Sequence, residues 1–278
     1  MQIIMITRPI FKPTIKNLKN EFESRGFEFH YTFNPLRALR KYDRNAIFIR
    51  YGNFRFPKLF TKHCRISLND RLLTTNKIIQ ALILNRAGIF VPERISEIYS
   101  LPSETEIIVR KKRHMQSKDA HLIKAYEISD YMDYDDFMRY YSIKKEYRVH
   151  VFQNLFYFVQ VKRIREENYD KVFRCYKKGW SLDKTTRFPN EIIEIAQRAV
   201  KALDLDFGGV DIGILEKNNK PIVFEVNSAC GVSENNASLY FKGLFEIIKE
   251  KLSWDEGKKQ KEHAIFVWNN ILDMMCIL

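Results

Sequence analysis

The sequence predicts an α/β (α+β) fold, and three patterns carry that expectation. Short apolar runs separated by a helical stretch between residues 3 and 50 predict strand–helix–strand units of a parallel sheet. Two pairs of alternating runs, at 145–163 and 207–231, predict antiparallel hairpins, the second folded about Asn218 and Asn219. Apolar positions at helical spacing, such as Ile195, Ala199 and Leu203, predict helices packed on those hairpins.

Taken in order, residues 3–7 form a strand, 14–24 a helix, 27–31 a second strand and 46–50 a third. Arg8 and Pro9 occupy the turn after the first strand, where a nucleotide-binding unit of this kind would carry glycines, so this unit is not expected to hold a nucleotide. Thr75 is placed to cap a helix running to Arg86, with Ile78, Ile79, Leu82 and Ile83 as its apolar stripe and Gly88 as its stop. A strand is expected over 106–112. Residues 135–141 read as a short helix with Phe137 and Tyr141 on one side. In the 145–163 pair, Tyr147, Val149 and Val151 share one face and Arg148, His150 and Phe152 the other, with Gln153-Asn154 as the turn. A lone strand histidine such as His150 reads more readily as a packing residue than as a base. Residues 191–203 and 237–251 complete the helices, the latter capped by Ser233 or Asn235.

The 207–231 hairpin carries the chemistry. Val210, Ile212, Ile214, Ile222, Phe224 and Val226 are expected on one face and Asp211, Glu225 and Asn227 on the other. Folding the turn sets Asp211 opposite Glu225, and facing carboxylates repel unless a cation lies between them. Two carboxylates and an amide oxygen form a hard oxygen set suited to Mg²⁺, with Mn²⁺ as the alternative ion. The competing reading is an ordinary hairpin with a polar, solvent-facing side.

Composition narrows the class. The chain has 278 residues, enough for one or two domains, and no apolar run long enough for a membrane span. With no signal-peptide pattern, a cytoplasmic protein without a membrane partner is expected. Four widely spaced cysteines suggest free thiols. The formal charge of +13 is read as belonging to a cleft lined by the cations of 110–118 and 144–165, with an acidic acceptor favoured over nucleic acid.

The segments 67–93, 145–163 and 207–231 together resemble ATP-grasp enzymes, especially the ribosomal-protein glutamate ligase type and its phage relatives, whose hairpin also reads VDI and then EVN before a Gly. The resemblance implies an ATP-grasp domain at 68–254, a small N-terminal α/β domain at 1–67 that contributes to the acceptor cleft, and a linker and helix at 255–278. That last helix is expected to pack on the core or on a second copy in a homodimer. It implies ATP as cofactor, with Asp211, Glu225 and Asn227 on the metal and Arg148 and Lys162 as catalytic cations. Arg110, Lys112, His114 and Lys118 join them around the phosphates. Tyr141, Ser142 and Ile143 form the adenine hinge, and Lys144 or Lys145 lies near the ribose. Relatives carry glycines in the loop after the 106–112 strand, where this chain has Ser117 and Asp119. The implied activity is an ADP-forming carboxylate–amine ligase that makes an amide bond through an acylphosphate, joining a carboxylate to an amine of an amino acid, peptide or protein. By the same resemblance the setting is a bacterial or phage-infected cell. Two alternatives stand beside it: a kinase of the same fold acting on a hydroxyl, and a nucleotide- or nucleic-acid-binding module without turnover.

Overall fold

The computed structural model describes residues 1–43, 45–52, 64–71, 74, 76–111 and 120–254. Its first unit is a parallel sheet ordered β2-β1-β3-β4, built from β1 (Gln2–Ile6), β2 (Glu28–Thr32), β3 (Ile47–Arg50) and β4 (Ile66–Leu68). The alternation along β1 divides the sheet between two layers. Ile3 and Met5 face α1 (Lys12–Glu23), while Ile4 and Ile6 face α2 (Pro35–Lys41). Sequence reading did not find α2 or β4. Only Ala38 of α2 is buried, so the helix leaves no periodic signal; Asn34 caps it by accepting from the Arg37 amide. A three-residue strand such as β4 is too short to show alternation.

The second unit contains a three-stranded sheet, β6-β5-β7, and a five-stranded sheet, β10-β9-β8-β11-β12. The small sheet comprises β5 (Glu106–Arg110), β6 (Ala120–Lys124) and β7 (Asp136–Arg139). The expected helix over 135–141 is therefore a strand. Its pairing with β5, Ile108 opposite Met138 and Arg110 opposite Asp136, overrides the local pattern. The large sheet comprises β8 (Ile143–Phe152), β9 (Phe156–Ile164), β10 (Trp180–Lys184), β11 (Phe207–Leu215) and β12 (Pro221–Asn227). Its Tyr147–Val149–Val151 face packs under α4 (Glu191–Ala202) in one core, together with Val210, Ile212 and Val226.

The opposite face of that sheet changes character along its length. At one end Phe152, Phe158 and Phe207 share a second core with α5 (Glu234–Trp254), which also packs on α1 and so joins the two units. Moving along β8 from Phe152, the same face presents His150, Arg148 and Glu146. An apolar anchor at one end of the strand thus fixes a charged site at the other.

Two expectations about faces need correction. Helix α3 (Lys77–Arg86) buries Gln80, Ala81 and Leu84, whereas Ile79 and Leu82 are exposed. Gln80 lies inside because its amide bonds both ways with Val226, donating to its carbonyl at 3.1 Å and accepting from its N–H at 3.3 Å. In the hairpin, a bulge breaks the alternation: Asp211 pairs with Glu225 but Ile212 pairs with Val223. Phe224 is the extra residue, so Val223 instead of Phe224 joins the core.

The stop at Gly88 holds. It adopts φ 70°, and the Ile89 amide reaches back to Leu84. Asn76 caps α3, accepting from the amides of Ile78 and Ile79; the expected cap, Thr75, lies outside the described residues. Helix α5 begins at Glu234, three residues before its expected start. Cys64, Cys175 and Cys230 are free thiols. Among the described residues no helix is long and apolar enough to cross a membrane.

Candidate active site

Three adjacent strands set the site. Antiparallel pairing places Arg148 of β8 opposite Asp211 of β11, and Asp211 opposite Glu225 of β12. The Arg148 guanidinium closes on Asp211 in a two-pronged pair, Nε to Oδ1 at 2.6 Å and Nη2 to Oδ2 at 2.8 Å. Glu225 pairs with Lys77 from the first turn of α3 and accepts from the Asn227 amide at 3.1 Å. Burial opposes the charge on Glu225, but the Lys77 ammonium, Asn227 and Arg148 outweigh it and hold its carboxyl at about 2. It is therefore ionised across the working pH range.

Gly209 explains how β11 fits here. A Cβ at that position would stand 2.3 Å from the Cys230 sulfur, so only glycine lets the post-hairpin loop fold back over the sheet. That loop is pinned to the first unit: Tyr51 donates to the Cys230 carbonyl, and the Val232 amide donates to Thr14 at 3.0 Å.

A cavity of about 480 Å³ opens between the two sheets of the second unit, with Arg148, Asp211 and Glu225 in its wall. Lys77, Arg94, Arg110, Arg139, Arg148 and Lys162 in that wall each have an acidic partner. Lys162 is 2.5 Å from Glu146, and Arg110 is 2.5 Å from Asp136, which also pairs with Arg94. Burial acts against the Lys162 ammonium, but Glu146 and Asp211 raise its pKa above the ordinary lysine value. Burial and then the repulsion of Arg94 lower Arg110 to about 10, which leaves it charged at neutral pH.

Of the sequence-expected residues, Arg110, Tyr141, Ile143, Arg148, Lys162, Asp211 and Glu225 line this cavity. Asn227 reaches it through Glu225. Ser142 and Lys145 do not line it: Lys145 belongs to the opposite parity of β8 from Glu146 and Arg148, and Ser142 bonds to Glu216 at 2.6 Å. The hinge carbonyls are engaged as well, Ser142 by the Glu216 amide and Ile143 by Arg174. Lys112, His114 and Lys118, with the glycine-poor loop, lie outside the described residues, as does the segment 255–278. His150 is a packing residue. It stacks on Phe158 at 4.2 Å, its ring nitrogens bond to Tyr240 and Gln160, and burial followed by the field of Arg148 lowers its pKa to about 3.

Sequence reading missed Lys77, Arg94, Asp136, Glu146 and Arg174. Glu146 was accessible to it, since it stands two residues from Arg148 on the same strand face. The others come from elements whose placement is not written in any local pattern. The charge has a second concentration besides the expected one. Residues 1–67 hold fourteen Lys and Arg against four Asp and Glu, a formal +10 of the total +13. The segments 110–118 and 144–165 hold eleven Lys and Arg against one Glu, also a formal +10 that acidic residues elsewhere offset, and the cavity lining carries eight Lys or Arg against three Asp or Glu.

Facing sheets around a charged cavity, one small and one with a carboxylate-bearing hairpin, define an ATP-grasp fold. The chain belongs to the RimK-like ATP-grasp domain family, which matches residues 74–247, and so stands among the ATP-grasp ligases. Solved structures agree on the fold. The ATP-grasp ligase PsnB complexed with a minimal precursor superposes with a TM-score of 0.66 at 12% identity, covering 88% of this chain and 99% of that one. D-alanine–D-alanine ligase from Bacillus anthracis gives 0.61 at 16% identity, covering 92% and 98%. A Chryseobacterium gregarium RiPP-associated ATP-grasp ligase, in complex with ADP and a leader and core peptide, gives 0.59 at 12%, covering 88% and 97%. No curated protein sequence matches this chain.

Proposed function

We propose that this protein is an ADP-forming carboxylate–amine ligase that activates its carboxylate substrate as an acylphosphate. The observation that carries the reading is the cross-strand row Arg148–Asp211–Glu225 in the wall of a cavity that also holds Lys77 and Lys162. The donor set fits a hard divalent cation. Asp211 and Glu225 face each other in register, Glu225 is held ionised, and Asn227 adds an amide oxygen two residues on. Among the described residues no three His, Cys, Asp or Glu cluster as a metal site, so the set is completed by the amide and by phosphate oxygens. Asp211, Glu225 and Asn227 would hold Mg²⁺ there, and the ion would supply positive charge to offset that of the phosphates during transfer.

The chain's own groups do the rest. Arg148 and Lys162 stand where charge builds on the γ-phosphoryl oxygens, and Arg110 and Lys77 hold the remaining phosphates. A substrate carboxylate oxygen attacks the γ-phosphorus and ADP leaves. An amine then attacks the acyl carbon, expels inorganic phosphate, loses a proton and leaves an amide. Positioning and charge stabilisation suffice for this chemistry, in agreement with a His150 that is neutral and enclosed. Peptide or protein acceptors suit the reading, since PsnB and the Chryseobacterium ligase were each solved with a peptide substrate.

The test is product analysis. Pairs of amino acids and short peptides are incubated with Mg²⁺-ATP, and ADP, free phosphate and the acceptor are quantified. Equal amounts of ADP, phosphate and amide product support the ligase. Phosphate retained on the acceptor would replace it with a kinase.

A further inference from the structure

The +10 surplus of residues 1–67 has a visible focus. Helix α2 covers the face of the first sheet that is turned away from α1 and α5, and therefore from the catalytic unit. Its Arg37, Arg40 and Lys41 are all exposed and stand at i, i+3 and i+4, the spacing that puts side chains on one helix stripe. Among the described residues none of the three side chains has an acidic partner; Lys41 lies over the Tyr42 ring at 5.1 Å. With Asn34 and Leu36 they line a groove of about 380 Å³. Leu36, which shares the groove with the cations, is 53% exposed.

We infer that this outer face of α2 docks an acidic segment of the polypeptide substrate, at a distance from the ligation site. The inference rests on the ligase reading in taking the partner to be a substrate polypeptide. Three cations within about one helical turn, roughly 5 Å of rise, match carboxylates spaced along a peptide. Duplex nucleic acid would call for a longer track of cations, since it carries a charge about every 1.7 Å. The exposed Leu36 suits a hydrophobic residue set among the acidic ones. Docking away from the reacting groups would raise the local concentration of the acceptor without using the cavity's own paired cations.

The test uses the full chain and a labelled decaglutamate peptide, measured by fluorescence anisotropy at low salt and at about 0.3 M salt. Arg37→Gln/Arg40→Gln/Lys41→Gln should weaken binding about tenfold, and the corresponding triple Glu variant should abolish it. Lys217→Gln/Lys220→Gln, which removes two exposed cations from the hairpin turn, should leave affinity unchanged. The Gln set keeps the proposal testable if charge reversal disturbs folding. Equal affinity in the triple Gln variant, or an equal loss in the Lys217/Lys220 variant, would overturn it. Single-stranded oligo(dT) that binds more tightly than the peptide and is lost in the triple Gln variant would assign the surface to nucleic acid instead. Peptide binding is read without turnover, so absence of ATP-dependent ligation would count against the ligase reading alone.

Discussion

The cavity and the outer face of α2 are both rich in cations and treat them in opposite ways. In the cavity Arg148, Lys162, Arg110 and Lys77 each close on a carboxylate supplied by a neighbouring element. On α2, Arg37, Arg40 and Lys41 are exposed, with no acid opposing them among the described residues. The difference follows from burial. A buried cation without a partner costs several kcal/mol, so a preorganised phosphate site must carry its own counter-charges until a ligand replaces them. An exposed cation costs little and stays available to whatever approaches.

The largest effect expected from this contrast is on stability. Glu146→Ala leaves Lys162 enclosed without its partner and should cost about 3 kcal/mol or more, read as a lowered midpoint in urea. Adding Lys162→Met should recover much of that loss. Full cost in the double variant would mean that packing around Glu146, and not its charge, is what matters.

Next comes catalysis. Glu225→Gln should lower Mg²⁺-ATP turnover about a hundredfold, or about 2.7 kcal/mol, while the midpoint falls by less than in Glu146→Ala. The fall is smaller because the Lys77 side chain left behind is 40% exposed and can turn to water. Unchanged Mg²⁺-dependent turnover in both Glu225→Gln and Asp211→Asn would remove the hairpin from the metal site.

A smaller effect depends on pH. The His150 pKa falls from its ordinary 6.5 to about 3 in the folded chain, so between those values the unfolded chain holds a proton that the folded chain does not. Its contribution to stability is complete above about 6.5 and is lost as pH falls toward 3. The drop in Tm between neutral and acidic buffer should therefore be shallower in His150→Gln than in the parent protein. An identical slope would show that the imidazole is not buried in the neutral form.

The smallest effect belongs to the outer face. Neutralising Arg37, Arg40 and Lys41 should move stability by no more than about 0.5 kcal/mol and leave turnover on small acceptors intact. A large loss in either would tie α2 to the fold or to the cavity.

How much of this the sequence disclosed follows the range of the interactions. Asp211, Glu225 and Asn227 were readable because alternation and an Asn-Asn turn act within a few residues. The pairing of Asp211 with Glu225 held for that reason. Lys77, Asp136 and Arg174 were not readable, since their roles arise where separate elements meet. Strand β7 was misread because an acidic, aromatic stretch has no strand signature until β5 supplies the hydrogen bonds. The cations of 110–118 and 144–165 were readable from the outset, and so was the equal surplus of residues 1–67, which the attraction of the phosphate site left aside.

The bulge in the hairpin has a consequence for length variation. On one side of Phe224, Glu225 pairs with Asp211, and on the other, Val223 pairs with Ile212, so every neighbouring rung is already complete without it. Phe224 adds a ring to the cavity wall, over Gly213, and takes no rung of its own. An in-frame deletion of this one codon would keep the carboxylates facing and the valines inside, while opening space beside them. Deleting Val223 would instead turn Phe224 into the core, and deleting Glu225 would set Phe224 opposite Asp211 in place of the carboxylate. Chains one residue shorter at this position can thus share the metal site and differ in what the cavity admits.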